Sequence, residues 1–145
     1  MRLLLDTHAL LWLLATPANL PAGIRAAIED PANIVFVSAA TVWEMAIKQA
    51  RGKLRYPAAE IAAALRRASL LELPITVRHA EAAASLPPHH RDPFDRMLVA
   101  QAQVEGLSLV SRDPAVRQYQ VTVLWGPEVQ APRAAYRAKR KPRRR

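Results

Sequence analysis

The chain has 145 residues, a net charge of +9 and no cysteine. Its length fits one domain that buries most of its surface without cross-links. The missing cysteines exclude disulfides, zinc–thiolate sites, iron–sulfur clusters and thiol nucleophiles, and they suit a reducing cytoplasm.

The opening "MRLLLDTHALLWLLATPA" resembles a signal peptide in outline. Asp6 and His8 interrupt its apolar region, however, so it reads as a buried strand followed by a helix. Further strand candidates are "NIVFVS" (33–38), "LLELPI" (70–75), "LSLVS" (107–111) and "VTVLW" (121–125), after "RLLLD" (2–6). Most are apolar almost throughout, as strands covered on both faces must be. Helix candidates lie near 8–15, 21–29, 40–51, 58–69, 78–85, 93–105 and 114–118. In the fourth, Ile61, Ala64, Leu65 and Ala68 form an expected buried stripe. "PANLPAG" and "LPPHHRDP" read as surface loops. Gly52, after Lys48 and Arg51, reads as a helix end with cations in the last turn. Trp12 and Trp43 sit among apolar neighbours and are expected in the core. No segment reaches the apolar length of a membrane span.

The chain ends in "APRAAYRAKRKPRRR", which holds eight Lys or Arg and no acid. Residues 1–130 then hold thirteen basic and twelve acidic residues, a net of +1. The expected organisation is a nearly neutral domain over 1–130 and a basic, disordered tail over 131–145. Such a tail suits phosphate backbones, and it equally suits a plain role in solubility.

The alternation of strands and helices favours a three-layer α/β domain with right-handed crossovers. In an open parallel sheet, strand C-termini and the following helix N-termini share one edge, where ligands bind. Four acids fall on that edge. Asp6 closes the first strand, Glu44 lies a turn into the helix after "IVFVS", Asp95 sits in the first turn of the helix leading to "GLSLV", and Asp113 follows the "LSLV" strand. Converging carboxylates repel one another and call for a cation. An all-oxygen set points to a hard ion, Mg²⁺ or Mn²⁺, and such ions serve phosphoryl transfer.

Each acid also has a plainer reading. Glu44 can pair with Lys48 one turn on, and Asp113 before Pro114 can cap a helix. Asp6 follows three leucines, and a carboxylate closing a buried strand needs a partner or a task. In "HHRDPFDRML", Asp92 is placed as the helix cap and Pro93 as the first helical residue. That turns Asp95 over the sheet edge toward Asp6. His89 and His90 are poorly spaced for both to bind one ion.

"LLLDTHALLWLL", "SAATVWEMAIKQARGKL", "RDPFDRMLVAQA" and "LSLVSRDPAVRQY" together resemble the successive motifs of PIN-domain proteins. They most resemble the VapC-type toxins that carry Asp-Pro-Phe-Asp-Arg, over residues 2 to 125. The resemblance implies an α/β/α sandwich around a central, mostly parallel sheet of about five strands. It implies a metal-dependent ribonuclease whose Mg²⁺ or Mn²⁺ is held by Asp6, Glu44, Asp95 and Asp113, acting on an RNA phosphodiester. It further implies a small antitoxin partner and a homodimer; the short apolar runs separately give no expectation of a membrane partner. Many relatives have Asn where this chain has His8, so His8 either bonds a water or phosphate at the site or faces solvent. Thr7 serves the site or simply starts a helix. Arg96 and Arg112 flank acids and are candidates for RNA contact or ordinary surface arginines.

The leading expectation is a hydrolase, the endoribonuclease toxin of a type II toxin–antitoxin pair. A housekeeping PIN nuclease without antitoxin is the nearest alternative. An aspartate-based phosphotransfer domain needs a companion acid and a well-placed lysine, yet His8 follows Asp6 at the relevant spacing. A non-catalytic RNA-binding protein leaves four gathered acids without a purpose.

Overall fold

The computed structural model describes residues 1–126, and the expected tail lies outside them. Strand β1 (Arg2–Leu5) is the centre of a five-stranded, wholly parallel sheet. Strands β2 (Ile34–Ser38) and β3 (Leu71–Leu73) extend it on one side, and β4 (Ser108–Val110) and β5 (Val123–Leu124) on the other. The strand order therefore reverses between β1 and β4, which creates the crevice where α/β sheets bind ligands. Leu3, Leu4 and Leu5 are completely buried because helices cover both faces. The pleat sends Leu3 and Leu5 into one core and Leu4 into the other.

Helices α1 (Thr7–Ala15), α2 (Ala22–Glu29), α3 (Ala39–Ala50) and α4 (Ile61–Arg67) contribute to the first core, with Leu10, Ile24, Met45 and Ile61 among its contacts. Helices α5 (Val77–Ala84) and α6 (Pro93–Glu105) pack together, and Leu98 and Val99 of α6 meet Leu4 and Leu109 in the second core. The layers are those of an α/β/α sandwich.

Local chemistry sets the helix ends. The Ser38 hydroxyl accepts the Ala40 N–H at 3.0 Å and caps α3. That helix closes where Gly52 takes φ 68° and the Lys53 N–H bonds the Lys48 carbonyl at 2.8 Å. The expected stripe on α4 holds for Ile61, Ala64 and Leu65, which are buried, but Ala68 is exposed. The helix ends at Arg67, and Ser69 at φ 55° turns the chain so that Leu70 takes the inner place. "LLELPI" keeps only Leu71–Leu73 as strand, since Pro74 has no N–H to extend the ladder. "PANLPAG" contains a short 3-10 turn, Pro17–Asn19, inside the expected loop. Among the described residues, no helix is long and apolar enough to cross a membrane.

Candidate active site

Asp6 is the first residue past β1, where its N–H bonds the Val110 carbonyl at 3.1 Å and ties the ends of β1 and β4 together. Its carboxylate caps α1 by accepting the Ala9 N–H at 2.8 Å, and it also bonds the Ser111 side chain. Burial pushes the Asp6 carboxyl above the ordinary range, and the Asp113 charge adds to this. Bonds from Ser111 and Ala9 and the nearby His8 oppose it. Asp6 thus has the partners that a buried carboxylate requires, yet burial still disfavours its ionised form.

Glu44 is buried on α3. The Thr7 hydroxyl donates to its Oε1 at 2.5 Å, and Lys48 lies 3.0 Å from Oε2. The helical ion pair expected for Glu44 therefore forms, and it forms beside the buried end of β1. Thr7 both opens α1 and orients Glu44. One turn earlier on α3, the buried Thr41 hydroxyl has no partner.

In "RDPFDRML" the two aspartates divide as their spacing suggests. Asp92 caps α6, with Oδ1 accepting the Phe94 N–H at 2.8 Å and the Asp95 N–H at 3.1 Å. Asp95 is left to face the crevice. Its carboxyl is pushed up to about 7, first by burial and then by Asp92. Asp6 and Glu44 add to the rise, and His90 works against it. Asp113 caps a 3-10 turn, Pro114–Gln118, by accepting the Ala115 N–H at 2.9 Å. Its slight burial works toward a higher value. The Ala115 bond, a His90 bond and the charges of His90 and His8 outweigh that and hold it below the ordinary range.

His90 belongs with these acids, although its place beside His89 in the sequence does not single it out. Its Nε2 lies 2.8 Å from Asp113 Oδ2 and 3.1 Å from Asp95 Oδ2. His89 turns away and meets the Tyr119 ring edge-on at 5.0 Å. Ser111 was also missed: besides bonding Asp6, its hydroxyl accepts the Asp113 N–H at 3.1 Å. A polar residue closing an apolar strand was the available signal for Ser111. None existed for His90.

The flanking residues sort differently. His8 is exposed, with its ring edge-on to Trp12. Arg112 stacks over Trp12 at 4.6 Å, and Trp12 itself is half-buried against Trp125. The guanidinium of Arg96 is engaged within the protein. It donates to the carbonyls of Ala83, Leu86, Pro87 and His90 and to the Tyr119 hydroxyl, at 3.0–3.4 Å. Trp43 corrects the expectation of a core position. It is 62% exposed and packs edge-on against Phe94 at 5.3 Å.

Asp6, Glu44, Asp95 and Asp113 thus come from four separate segments. Asp95 feels the charges of Asp6 and Glu44, Asp6 feels that of Asp113, and ligating atoms of Asp95, Asp113 and His90 lie within 4.8 Å of one another. A carboxyl raised to about 7 by burial, with Asp92, Asp6 and Glu44 adding to the rise, marks a place short of positive charge. An all-carboxylate donor set of this kind fits a hard divalent ion, so Mg²⁺ or Mn²⁺ is chemically compatible with the residues present.

The fold has close counterparts among solved structures. VapBC2 from Rickettsia felis, bound to a DNA fragment from their promoter, aligns with a TM-score of 0.68 at 14% identity, covering 86% of this chain and 98% of that one. DNA-bound VapBC from Salmonella typhimurium aligns at 0.64 and 17% identity, covering 86% and 97%. FitAcB from Neisseria gonorrhoeae aligns at 0.57 and 20% identity, covering 84% and 96%. At these identities the likeness is one of fold. No curated protein sequence matches the chain. The family profile of the PIN domain matches residues 3–121, which takes in all four acids and the whole sheet up to β4, and the chain belongs to the PIN-domain family.

Proposed function

We propose that this protein is a divalent-metal-dependent endoribonuclease, acting in the cytoplasm as the toxin of a type II toxin–antitoxin pair. One observation carries the reading: the Asp95 carboxyl, raised to about 7 first by burial and then by Asp92, also feels the charges of Asp6 and Glu44 across the crevice edge. These four side chains would hold Mg²⁺ or Mn²⁺, which when bound polarises the phosphodiester and activates water. Around them, Thr7 fixes the orientation of Glu44, Asp92 sets the first turn that aims Asp95, and Ser111 bridges Asp6 and Asp113. The test is incubation of the purified protein with RNA, with Mg²⁺, with Mn²⁺ and with a chelator. Cleavage with either ion and none with the chelator is expected. Intact RNA under all three conditions overturns the proposal.

An antitoxin and a second copy of the chain are the proposed protein partners. The structural neighbours are VapBC and FitAcB complexes. In addition, the exposed Trp43 borders an apolar cleft of about 490 Å³ lined by Val37, Val42, Ile61, Leu65 and Leu73. Exposed apolar surface of this kind suits a protein contact.

The tail is proposed to assist RNA binding, as a unit separate from the nuclease domain. Strand β5 runs parallel to β4, so the described chain leaves its sheet at the same edge as Asp6. Eight basic residues and no acid lie beyond residue 130, where they offset the repulsion between RNA and an acidic site. Removing residues 131–145 is expected to weaken binding to single-stranded RNA. The salt dependence, as log K against log salt, should flatten by about 0.7 for each phosphate the tail neutralises. An unchanged slope would leave the tail with solubility alone.

A further inference from the structure

We propose that His90 is a positioning residue of the carboxylate site: its Nε2–H bridges Asp95 and Asp113 and sets their geometry, and its nitrogen is not a metal ligand. The metal-binding role of those two acids rests on the function proposed above. The bridge itself rests on geometry: a hydrogen bond to Asp113 Oδ2 and a 3.1 Å approach of the same nitrogen to Asp95 Oδ2.

At first sight His90 belongs to a ligand set. Ligating atoms of His90, Asp95 and Asp113 all lie within 4.8 Å of one another, and the ring is mostly buried. The other ring nitrogen argues otherwise. Nδ1 lies 3.1 Å from the Asp92 backbone nitrogen and accepts its N–H. A backbone N–H only donates, so Nδ1 offers a lone pair and the proton of the neutral ring sits on Nε2. A histidine that ligates a metal has the opposite arrangement, with a bare nitrogen toward the ion and the second N–H donated outward. Binding an ion through Nε2 would set the Nδ1–H against the Asp92 N–H.

A donor at Nε2 has a definite use. It donates to Asp113 Oδ2 at 2.8 Å and stands 3.1 Å from Asp95 Oδ2, a charge contact beside that bond. It thereby joins the first turn of α6 to the segment after β4. Each oxygen has two lone pairs, so one on each Oδ2 stays available for a cation. The ring is held on a firm base. The His90 N–H donates to the Tyr119 hydroxyl at 2.9 Å, and that hydroxyl donates to the Pro87 carbonyl at 2.8 Å. Arg96 reaches the His90 carbonyl as well. The loop, the ring and two acids therefore form one hydrogen-bonded unit.

The test uses the full-length chain and three variants chosen for what each retains. His90→Asn keeps an acceptor for the Asp92 N–H but has no donor at the Nε2 position. His90→Gln restores a donor there, and His90→Ala has neither group. Nitrogen-15 NMR of the metal-free protein at pH 8 should show the Nε2–H tautomer for His90. Mn²⁺ titration followed by electron paramagnetic resonance should show affinity lowered about 10–100-fold in His90→Asn and His90→Ala. His90→Gln should stay within a few-fold of the wild type. Pulsed measurements on bound Mn²⁺ should show no directly coordinated histidine nitrogen.

An unprotonated Nε2, or a directly coordinated nitrogen that disappears in His90→Ala, overturns the proposal. So does a His90→Asn variant that binds Mn²⁺ as tightly as the wild type, since that would reduce His90 to a loop anchor. The tautomer is read without metal or RNA. If the wild type binds no Mn²⁺, the nuclease proposal fails, and the NMR result alone decides the bridge.

Discussion

Asp95→Asn is expected to raise the melting temperature of the metal-free protein at pH 8 while removing nuclease activity. The Asp95 carboxyl stands at about 7 in the folded protein, against 3.8 for the free side chain. Below pH 4 it is protonated in both folded and unfolded chains and contributes nothing. As pH rises from 4 to 7, the unfolded chain ionises freely and the folded one resists, so stability falls. Above pH 7 the whole penalty is present. The full shift corresponds to about 4 kcal/mol. Solvent access to the half-buried carboxyl reduces this to roughly 1–2 kcal/mol, or a few degrees in melting temperature. Asparagine keeps the shape but carries no charge. The variant should therefore melt higher than the wild type at pH 8 and at the same temperature at pH 4. Mg²⁺ or Mn²⁺ should raise the wild-type value at pH 8 and leave the variant almost unmoved. Cleavage should fall by a factor on the order of 10²–10³ or more, the scale for losing a charge that supports a transition state. A variant that melts lower at pH 8 would show that the ionised carboxylate is favourably held without metal.

Much of this arrangement is legible in the sequence because it follows from local rules. Apolar runs too short for helices give the five strands, and Asp92 and Gly52 mark helix ends by their own chemistry. The four acids follow once the strand edges are placed. Trp43 fails for a reason that is itself informative. The buried face of α3 carries Ala40, Thr41, Glu44 and Met45, so two of its four inward positions are polar. A reading by apolarity expects tryptophan rather than glutamate on that face, and the site inverts the pattern. His90 and Arg96 were not legible as partners because their contacts are with backbone groups and with acids more distant in sequence. A guanidinium that bonds four carbonyls leaves no trace in side-chain pattern. The shape of the 83–90 segment exists only after α5 and α6 have packed.

Arg96 is where that hidden organisation is expected to matter most for stability. Three of its contacts, to the carbonyls of Pro87, Ala83 and Leu86, lie at 3.0–3.1 Å, and two more to His90 and Tyr119 at 3.4 Å. A charged donor contributes about 1.5–3 kcal/mol per good hydrogen bond, and partly buried carbonyls left without a donor add to the loss. Arg96→Ala should cost about 3 kcal/mol or more, lowering the melting temperature by roughly 10 °C. Lysine presents one compact charge in place of a planar fork, so Arg96→Lys should recover less than half of that loss. The loop these bonds hold carries His90, and His90 holds Asp95 and Asp113. Arg96→Ala should therefore also weaken Mn²⁺ binding under conditions where the variant is fully folded, and Tyr119→Phe should do so more mildly. If Arg96→Lys matches the wild type in both stability and Mn²⁺ affinity, the charge alone suffices. The fork geometry would then have no role in building the site.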